Sequence, residues 1–281
     1  MTNSIHGLNS GLLLNEEGFV ALALKVKTSN GQTSLFYLQG EALRDLMMVL
    51  QNRLLFVQNN VANGHQEVAE HIETANQELI KNLPALELKD VEQPDAGFLV
   101  NSLAVSFAED GFKLAIFLKN ESLLHIKVSD AQLQFIMVAI ARALDNVKNV
   151  DLINILTAGI NYAPVYDALF KQDGSIDYSL IEADQWKLDL FNEYVLIVYG
   201  IESKEGLQLK FGAVVKCHKS VNAQELDIIA RNFASKSKKI MPYLNQLAEI
   251  KTRVMPFEKV GIPAVNEALQ PLAEFHKALC N

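Results

Sequence analysis

The residues that come closest to a catalytic pattern in this chain are Asp189, Glu202 and Lys204. Asp189 precedes an apolar run at residues 194–201, and Glu202-Ser203-Lys204 follows it directly. If residues 186–191 and 194–201 are neighbouring strands, the two carboxylates could share a divalent cation, and the lysine could orient an attacking water. The chemistry that this spacing predicts is metal-dependent hydrolysis of a phosphodiester.

The pattern resembles that of metal-dependent nucleases, but two features of the sequence weaken it. Glu-x-Lys is a common tripeptide, and Glu205-Gly206 follows Lys204 at once, which is typical of a hairpin turn. No glycine-rich phosphate loop, dinucleotide fingerprint, serine nucleophile elbow or paired-cysteine zinc motif is present in the sequence. We therefore favour a solvated turn at Lys204, and we keep the nuclease as an alternative hypothesis.

Basic residues concentrate in the second half of an otherwise acidic chain. The net charge is −8, yet residues 204–259 carry nine Lys and two Arg against five acids. A predicted helix from about residue 223 and the residues after it hold Arg231, Lys236, Lys238 and Lys239. Such a cluster can bind phosphates or an acidic protein surface. The alternative, which we favour, is an ordinary solvated helix face.

The elements that would position these residues begin with a pattern that occurs twice, over residues 8–54 and 100–144. Each copy has three short apolar strands joined by turns and then an amphipathic helix. Glu16-Glu17-Gly18-Phe19 corresponds to Glu109-Asp110-Gly111-Phe112. The apolar positions that match, first copy to second, are Leu22 with Ala115, Leu24 with Phe117, Leu43 with Leu133, Leu46 with Ile136, Leu50 with Ile140 and Leu54 with Leu144.

The fold class that we predict is α+β, built from tandem βββα units. We expect a pseudo-duplicated domain at residues 1–149, with copies at about 8–60 and 98–147 and a polar helix and linker at 65–94 between them. A second α+β domain should cover residues 150–281. It should include helical stretches before Gly159 and after Pro164, a possible third βββα unit at residues 186–239 with a first strand at 186–191, and a helical tail interrupted by prolines.

Composition predicts a soluble cytoplasmic protein. The apolar fraction is 49%, which supports a substantial core, and no apolar run approaches the ~20 residues of a membrane-spanning helix. The N-terminal residues lack the features of a signal peptide. Cys217 and Cys280 should be free thiols in a reducing compartment.

The leading functional hypothesis is a non-enzymatic interaction or assembly protein that self-associates through sheet edges or apolar helix faces. The two copies agree at apolar and turn positions and share no polar signature, whereas a duplicated catalytic group should appear in both. This hypothesis requires no cofactor and no metal. The expected partner is a second copy or another protein, and we expect no association with a membrane. Nucleic-acid association through Arg231, Lys236, Lys238 and Lys239, with or without cleavage at Asp189, Glu202 and Lys204, is the alternative.

Overall fold

The computed structural model describes residues 3–16, 18–62, 67–145, 147, 159–219, 221–255, 257 and 261–280. The fold is α+β, as the sequence predicts. Its contacts divide the chain into two compact units, Met1–Ile160 and Asn161–Asn281. The predicted domain boundary after residue 149 falls in the segment 148–158, outside the described residues.

The N-terminal unit contains the two predicted meanders, each followed by a helix. The first meander and its helix are β1 (Asn3–Asn15), β2 (Gly18–Thr28), β3 (Thr33–Leu38) and α1 (Gly40–Ala62). The second meander and its helix are β4 (Val100–Ala108), β5 (Gly111–Leu118), β6 (Leu123–Ser129) and α4 (Leu133–Leu144), with a 3₁₀ turn at Asp130–Gln132 before α4. Between the copies lie α2 (Glu67–Lys81), α3 (Leu88–Glu92) and a 3₁₀ turn at Ala96–Phe98.

The six strands form one sheet in the order β3-β2-β1-β6-β5-β4. Within each meander the pairing is antiparallel, but β1 and β6 meet in parallel and only at Asn3–Ser4. At the far edges, a single parallel bridge joins Tyr37 to Leu99. The two meanders therefore face each other, and their strands separate between these two narrow joints.

Helices α1 and α4 fill the space between the meanders. Leu46 and Leu50 of α1 and Ile136 of α4 line a central cavity of about 20 Å³ together with residues from all six strands. The lining is entirely apolar, so burial of hydrophobic surface holds this interior together. The predicted matches between the helices are consistent with this arrangement, because Leu46 and its counterpart Ile136 face the same interior.

The strand correspondence differs from the one that the sequence pattern predicts. In the first meander, the pair next to the turn between the second and third strands is Lys27 with Thr33. In the second meander, the pair at that turn is Phe117 with Leu123, so Lys27 is the equivalent of Phe117. The pattern matches Leu24 with Phe117 instead. The reason is that β2 is three residues longer than β5 between its two turns, and one of these residues lies in a β-bulge. An odd shift moves a side chain to the other face of the sheet.

The segment between the copies covers the outer face of the first meander. Asn9 donates a side-chain hydrogen bond to the carbonyl oxygen of Pro84 at 3.0 Å, and the Tyr37 hydroxyl donates to that of Asp90 at 2.9 Å. A Cβ atom at Gly7 would overlap the carbonyl oxygen of Asn82. Backbone therefore lies directly on backbone here, and glycine permits this distance.

A buried ion pair fastens the same segment. The Lys25 ammonium lies 2.7 Å from the Asp90 carboxylate, with side-chain exposures of 15% and 9%. The hydrogen bond from Lys25 lowers the pKa of the Asp90 carboxyl, against the opposing effect of burial. Val91, Phe98 and Leu99 add apolar contacts to the outer face. We call the segment 84–99 the cover of the first meander.

The C-terminal unit is a five-stranded sheet with a helix on each face. Its elements are β7 (Tyr162–Phe170), β8 (Ile176–Leu180), α5 (Gln185–Asp189), β9 (Glu193–Ser203), β10 (Gly206–Cys217), α6 (Ala223–Lys236), a 3₁₀ helix at Met241–Gln246, β11 (Leu247–Met255) and α7 (Val265–Cys280). The strand order is β11-β9-β10-β7-β8. Ile229 and Phe233 of α6 pack on one face, and Leu272 of α7 lies against Gly212 on the other.

Three predictions for this unit are wrong. Residues 186–191 are not a strand but include α5, so the third βββα unit has two strands between residues 186 and 239. The segment after Pro164 is not helical but belongs to β7, where Pro164 lies at a bulge opposite Val215 that tolerates a missing N–H. The tail has the predicted helix in α7, but the prediction is wrong at Leu247–Met255, where β11 pairs with β9 along nearly its whole length.

Within the described residues, no helix combines the length and the hydrophobicity that a bilayer crossing needs. Both cysteines are free, as predicted; Cys217 is buried and Cys280 is exposed.

We expect Asp90→Asn to lower the free energy of unfolding at neutral pH by about 1.5–3 kcal/mol, the range for a hydrogen bond to a charged group. The folded chain holds the pKa of Asp90 below its ordinary value, so the ion pair stabilises the fold fully above the unfolded-state pKa of ~4. This contribution is lost as the pH falls through the folded-state pKa. Urea unfolding of both proteins across pH 2–8 measures the difference.

The matched control is Asp110→Asn, because Asp110 lies at the same 2.7 Å from Lys127 but is 65% exposed. An exposed pair contributes less than about 1 kcal/mol. Equal losses at the two positions would contradict the role of burial in the Lys25–Asp90 pair.

We expect Gly7→Ala to destabilise the N-terminal unit by about 1–3 kcal/mol, because the added methyl group forces the backbone of Asn82, and with it the cover that begins two residues later, away from β1. Ser102 occupies the equivalent position in the second meander, since Gly7 pairs with Lys27 and Ser102 with Phe117. Ser102→Ala should change stability by less than about 0.5 kcal/mol. Thermal unfolding followed by circular dichroism compares the two, and a Gly7→Ala protein as stable as the wild type would refute the tight packing of the cover.

Candidate functional site

The three residues of the nuclease hypothesis lie at two ends of the C-terminal sheet. Asp189 ends α5, just before β9 begins at Glu193, whereas Glu202 is near the other end of that strand. At ~3.3 Å per residue, β9 separates Glu193 from Glu202 by about 30 Å. Lys204 lies in the turn between β9 and β10, as predicted. The structure does not bring Asp189 together with Glu202 and Lys204, and the nuclease hypothesis stays a prediction without a shared site.

Asp189 instead lies near Lys216 and Tyr194, where β9 and β10 pair. The Lys216 ammonium lies 5.2 Å from the centroid of the Tyr194 ring. Burial lowers the pKa of Lys216, and Asp189 opposes that effect. The Tyr194 hydroxyl donates to the carbonyl oxygen of Gly261 at 2.6 Å, and burial raises its pKa to about 12. This group has a structural use, because it holds the chain that leads into α7.

The predicted anion-binding residues are partly neutralised by neighbouring acids. Arg231 pairs with Asp227 one helical turn earlier, at 2.7 Å. Lys239 pairs with Asp177 of β8, at 3.3 Å. Lys236 and Lys238 are exposed. The sequence contains the signal for the first pair, an Asp four residues before an Arg on a helix, but gives no sign of the second.

Asp167 in β7 is a buried carboxylate that the sequence did not reveal. The Asp167 residue is 5% exposed, and burial raises the pKa of its carboxyl group. The Ser237 hydroxyl donates to Asp167 at 2.8 Å and accepts N–H bonds from Lys239 and Ile240. These bonds fix the turn that follows α6, whose C-cap is Ser237.

The buried Cys217 and the described acidic and histidine side chains do not form a reactive-thiol or metal site. Burial raises the pKa of the Cys217 thiol to about 12, so the reactive thiolate is rare at neutral pH. No group of three or more His, Cys, Asp or Glu side chains among the described residues is placed to hold a metal ion.

The surface that stands out is the outer face of the second meander, which we call the open face. Its nine positions form three cross-strand rows: Ser102, Phe117 and Leu123; Ala104, Ala115 and His125; Ser106, Lys113 and Lys127. Phe117 and Leu123 lie side by side and are 41% and 44% exposed. Adjacent exposed apolar groups on a sheet face are typical of a contact site.

The equivalent face of the first meander is the one beneath the cover. By strand register, Asn9, Lys25 and Leu35 correspond to Ala104, Ala115 and His125. Lys25 binds Asp90 of the cover, and Leu35 packs against the same buried cluster as the apolar residues of the cover. The two faces therefore have the same backbone plan, but one is buried by the chain itself and the other is exposed.

The open face does not follow from the sequence, because the predicted strand match places Ala115 and Phe117 at the buried positions of Leu22 and Leu24. The available signal is alternation within the second copy. In β5, Phe112, Leu114, Ile116 and Leu118 are buried, and the residues between them face outward. A period of two residues assigns Phe117 to the outer face without any reference to the first copy.

Comparison with known proteins gives two matches over nearly the whole chain. A family model described as YjeJ-like matches residues 1–280. A protein of Escherichia coli (strain K12), named "Uncharacterized protein YjeJ", is 27% identical over 275 residues, which cover 98% of this chain and 92% of that protein. No solved structure matches the chain significantly.

Because Asp189 and Glu202 lie at opposite ends of β9, we expect Glu202→Ala to leave any cleavage of oligonucleotides unchanged. The measurement is the rate of cleavage of labelled single-stranded and duplex DNA with Mg²⁺ or Mn²⁺, with Lys204→Ala as a companion variant. A rate in the wild type that both variants abolish would contradict this expectation, because it would show that Glu202 and Lys204 take part in cleavage.

Proposed function

The chain belongs to the YjeJ-like family, and we propose that it is a non-enzymatic interaction or assembly protein that associates with copies of itself. The observation that supports this proposal most directly is the open face, where Phe117 and Leu123 remain exposed on a sheet whose twin is covered. A hydrophobic sheet face in water favours contact with another surface.

The duplicated architecture also supports interaction over catalysis. The two copies share strands, turns and helix faces, and the polar contacts that differ between them are structural. The Lys25–Asp90 pair fastens the cover. The Arg53 guanidinium joins α1 to Asp130 of the second copy at 2.6 Å. Neither pair leaves a free acid and base in one cleft, which is what general acid–base catalysis requires.

Sheet edges in the C-terminal unit offer a further contact of the predicted kind. Strands β8 and β11 are the outermost strands of that sheet. Tyr178 and Leu180 of β8 are 43% and 53% exposed. Unpaired strand edges readily add a strand from another molecule unless they are short or charged. The shortness of β8 limits this contact, so we place the primary interface on the open face.

The location that we propose is the cytoplasm, in keeping with the two free cysteines. A reducing compartment keeps exposed thiols such as Cys280 unpaired.

Self-association makes a direct prediction for wild-type protein in solution. Size-exclusion chromatography with multi-angle light scattering, over about 1–500 μM chain, should give a mass that rises above that of the 31.2 kDa monomer. The expected rise is gradual, because a single sheet face gives a small interface. A constant monomer mass over the whole range, in a reducing buffer, would rule out self-association.

A further inference from the structure

Among the exposed apolar side chains in the described part of the N-terminal unit, two groups are candidates for self-association. One is the pair Phe117 and Leu123 on the open face. The other lies on and just before the cover, where Ile80, Leu83 and Leu88 are 63%, 50% and 69% exposed. The pair on the open face is less than half exposed, and the three residues on the second surface are at least half exposed. Grouped apolar side chains, unlike isolated ones, mark contact surfaces. We call the second one the cover surface.

The two surfaces have opposite charge. Exposed acids border the cover surface at Glu78, Glu87, Glu92 and Asp95, against lysines at 81 and 89, and Lys89 pairs with Glu87. On the open face Lys113 lies directly opposite Lys127, and none of the nine positions is acidic. Asp110 reaches Lys127 from the adjoining turn. Complementary charge of this kind selects one partner and one orientation.

The two surfaces lie on opposite sides of the unit. Leu24 and Val26 of the first meander face the same cavity as Leu114 and Ile116 of the second. The outer faces of the meanders therefore point away from each other. The cover surface is on the first side and the open face on the second, so they cannot meet within one N-terminal unit.

We propose that the cover surface of one copy packs on the open face of a second copy. This inference rests on the proposed self-association and names the two surfaces that make it. In the contact, Leu83 and Leu88 meet Phe117 and Leu123, and the acids of the cover surface face Lys113. Because two different surfaces meet, the contact is heterologous, and each added copy presents the same pair of surfaces again.

The first meander supplies the precedent for this contact within the same molecule. Its outer face already binds the inner side of an acid-rich segment through a lysine, Lys25, and through small residues that allow close approach. The open face measures about 300 Å² from its strand spacing and rise, against ~800 Å² per partner in a standard interface. This size predicts weak, concentration-dependent association that increasing salt reduces further.

Two double variants test the pairing without adding charge. The face variant is Phe117→Ser with Leu123→Ser, and the cover variant is Leu83→Ser with Leu88→Ser. Light scattering at the highest wild-type concentration should show each variant alone as a monomer. An equimolar mixture should give a mass that stops at twice that of the monomer, because the intact cover surface of one variant fits the intact open face of the other.

The control is Leu207→Ser with Ile228→Ser, which removes two apolar groups of the C-terminal unit that are 49% and 50% exposed. It should associate as the wild type does. All variants should match the wild-type circular dichroism spectrum and thermal midpoint, since the substituted groups are exposed.

The outcomes separate this inference from the broader proposal. If the wild type associates and either variant associates equally well, or the mixture stays monomeric, the pairing of these two surfaces is wrong while self-association stands. If the wild type is a monomer at every concentration, the proposed function itself fails.

Discussion

The N-terminal unit depends on one constraint, which is that two three-stranded meanders have to share a single apolar interior. A two-stranded hairpin is marginal by itself, and a three-stranded sheet needs a covered hydrophobic face or a packed helix to be stable. Here α1 and α4 lie between both sheets, so each helix contributes to the core of both copies. Arg53 adds a polar link across the same interface. Its guanidinium binds both carboxylate oxygens of Asp130 and the carbonyl oxygen of Glu109. Neither copy can separate without exposing the interior of the other.

Most of this unit could be predicted because its signals are local. Asn30-Gly31 forms the expected turn, with glycine at a φ of 83°, and Ser129 caps the helical segment with Gln132 in a capping box. Helix faces follow from a spacing of three and four residues, so Leu43 and Leu133 are both fully buried. The strand match failed because it required counting residues across a bulge. A count that is wrong by an odd number reverses the face of every side chain on the strand.

The C-terminal unit and the candidate site were harder to predict for a physical reason. Pro164 and the prolines after residue 240 indicate breaks in helices. Whether the chain next to such a proline becomes a strand depends on whether a sheet edge is available for it to pair with. β11 forms because β9 presents such an edge. Asp189 is only 13 residues before Glu202 in the sequence, yet the length of β9 separates Asp189 in space from Glu202 and Lys204. The open face is exposed because the segment between the copies packs on the other meander. No local pattern in the strands of the second meander indicates where that segment lies.

The difference between Gly7 and Ser102 has a consequence for any chain built by duplication. Two copies in tandem have one connecting segment between them, and here that segment buries the outer face of the first meander and leaves the outer face of the second exposed. Glycine at position 7 lets the backbone of Asn82 rest on the first copy, whereas the serine at position 102 occupies that space on the second. Two halves with the same strand order thus differ at the point where the connecting backbone touches the first of them. As a result, the two outer faces of the N-terminal unit differ, although the sequence pattern behind them is repeated.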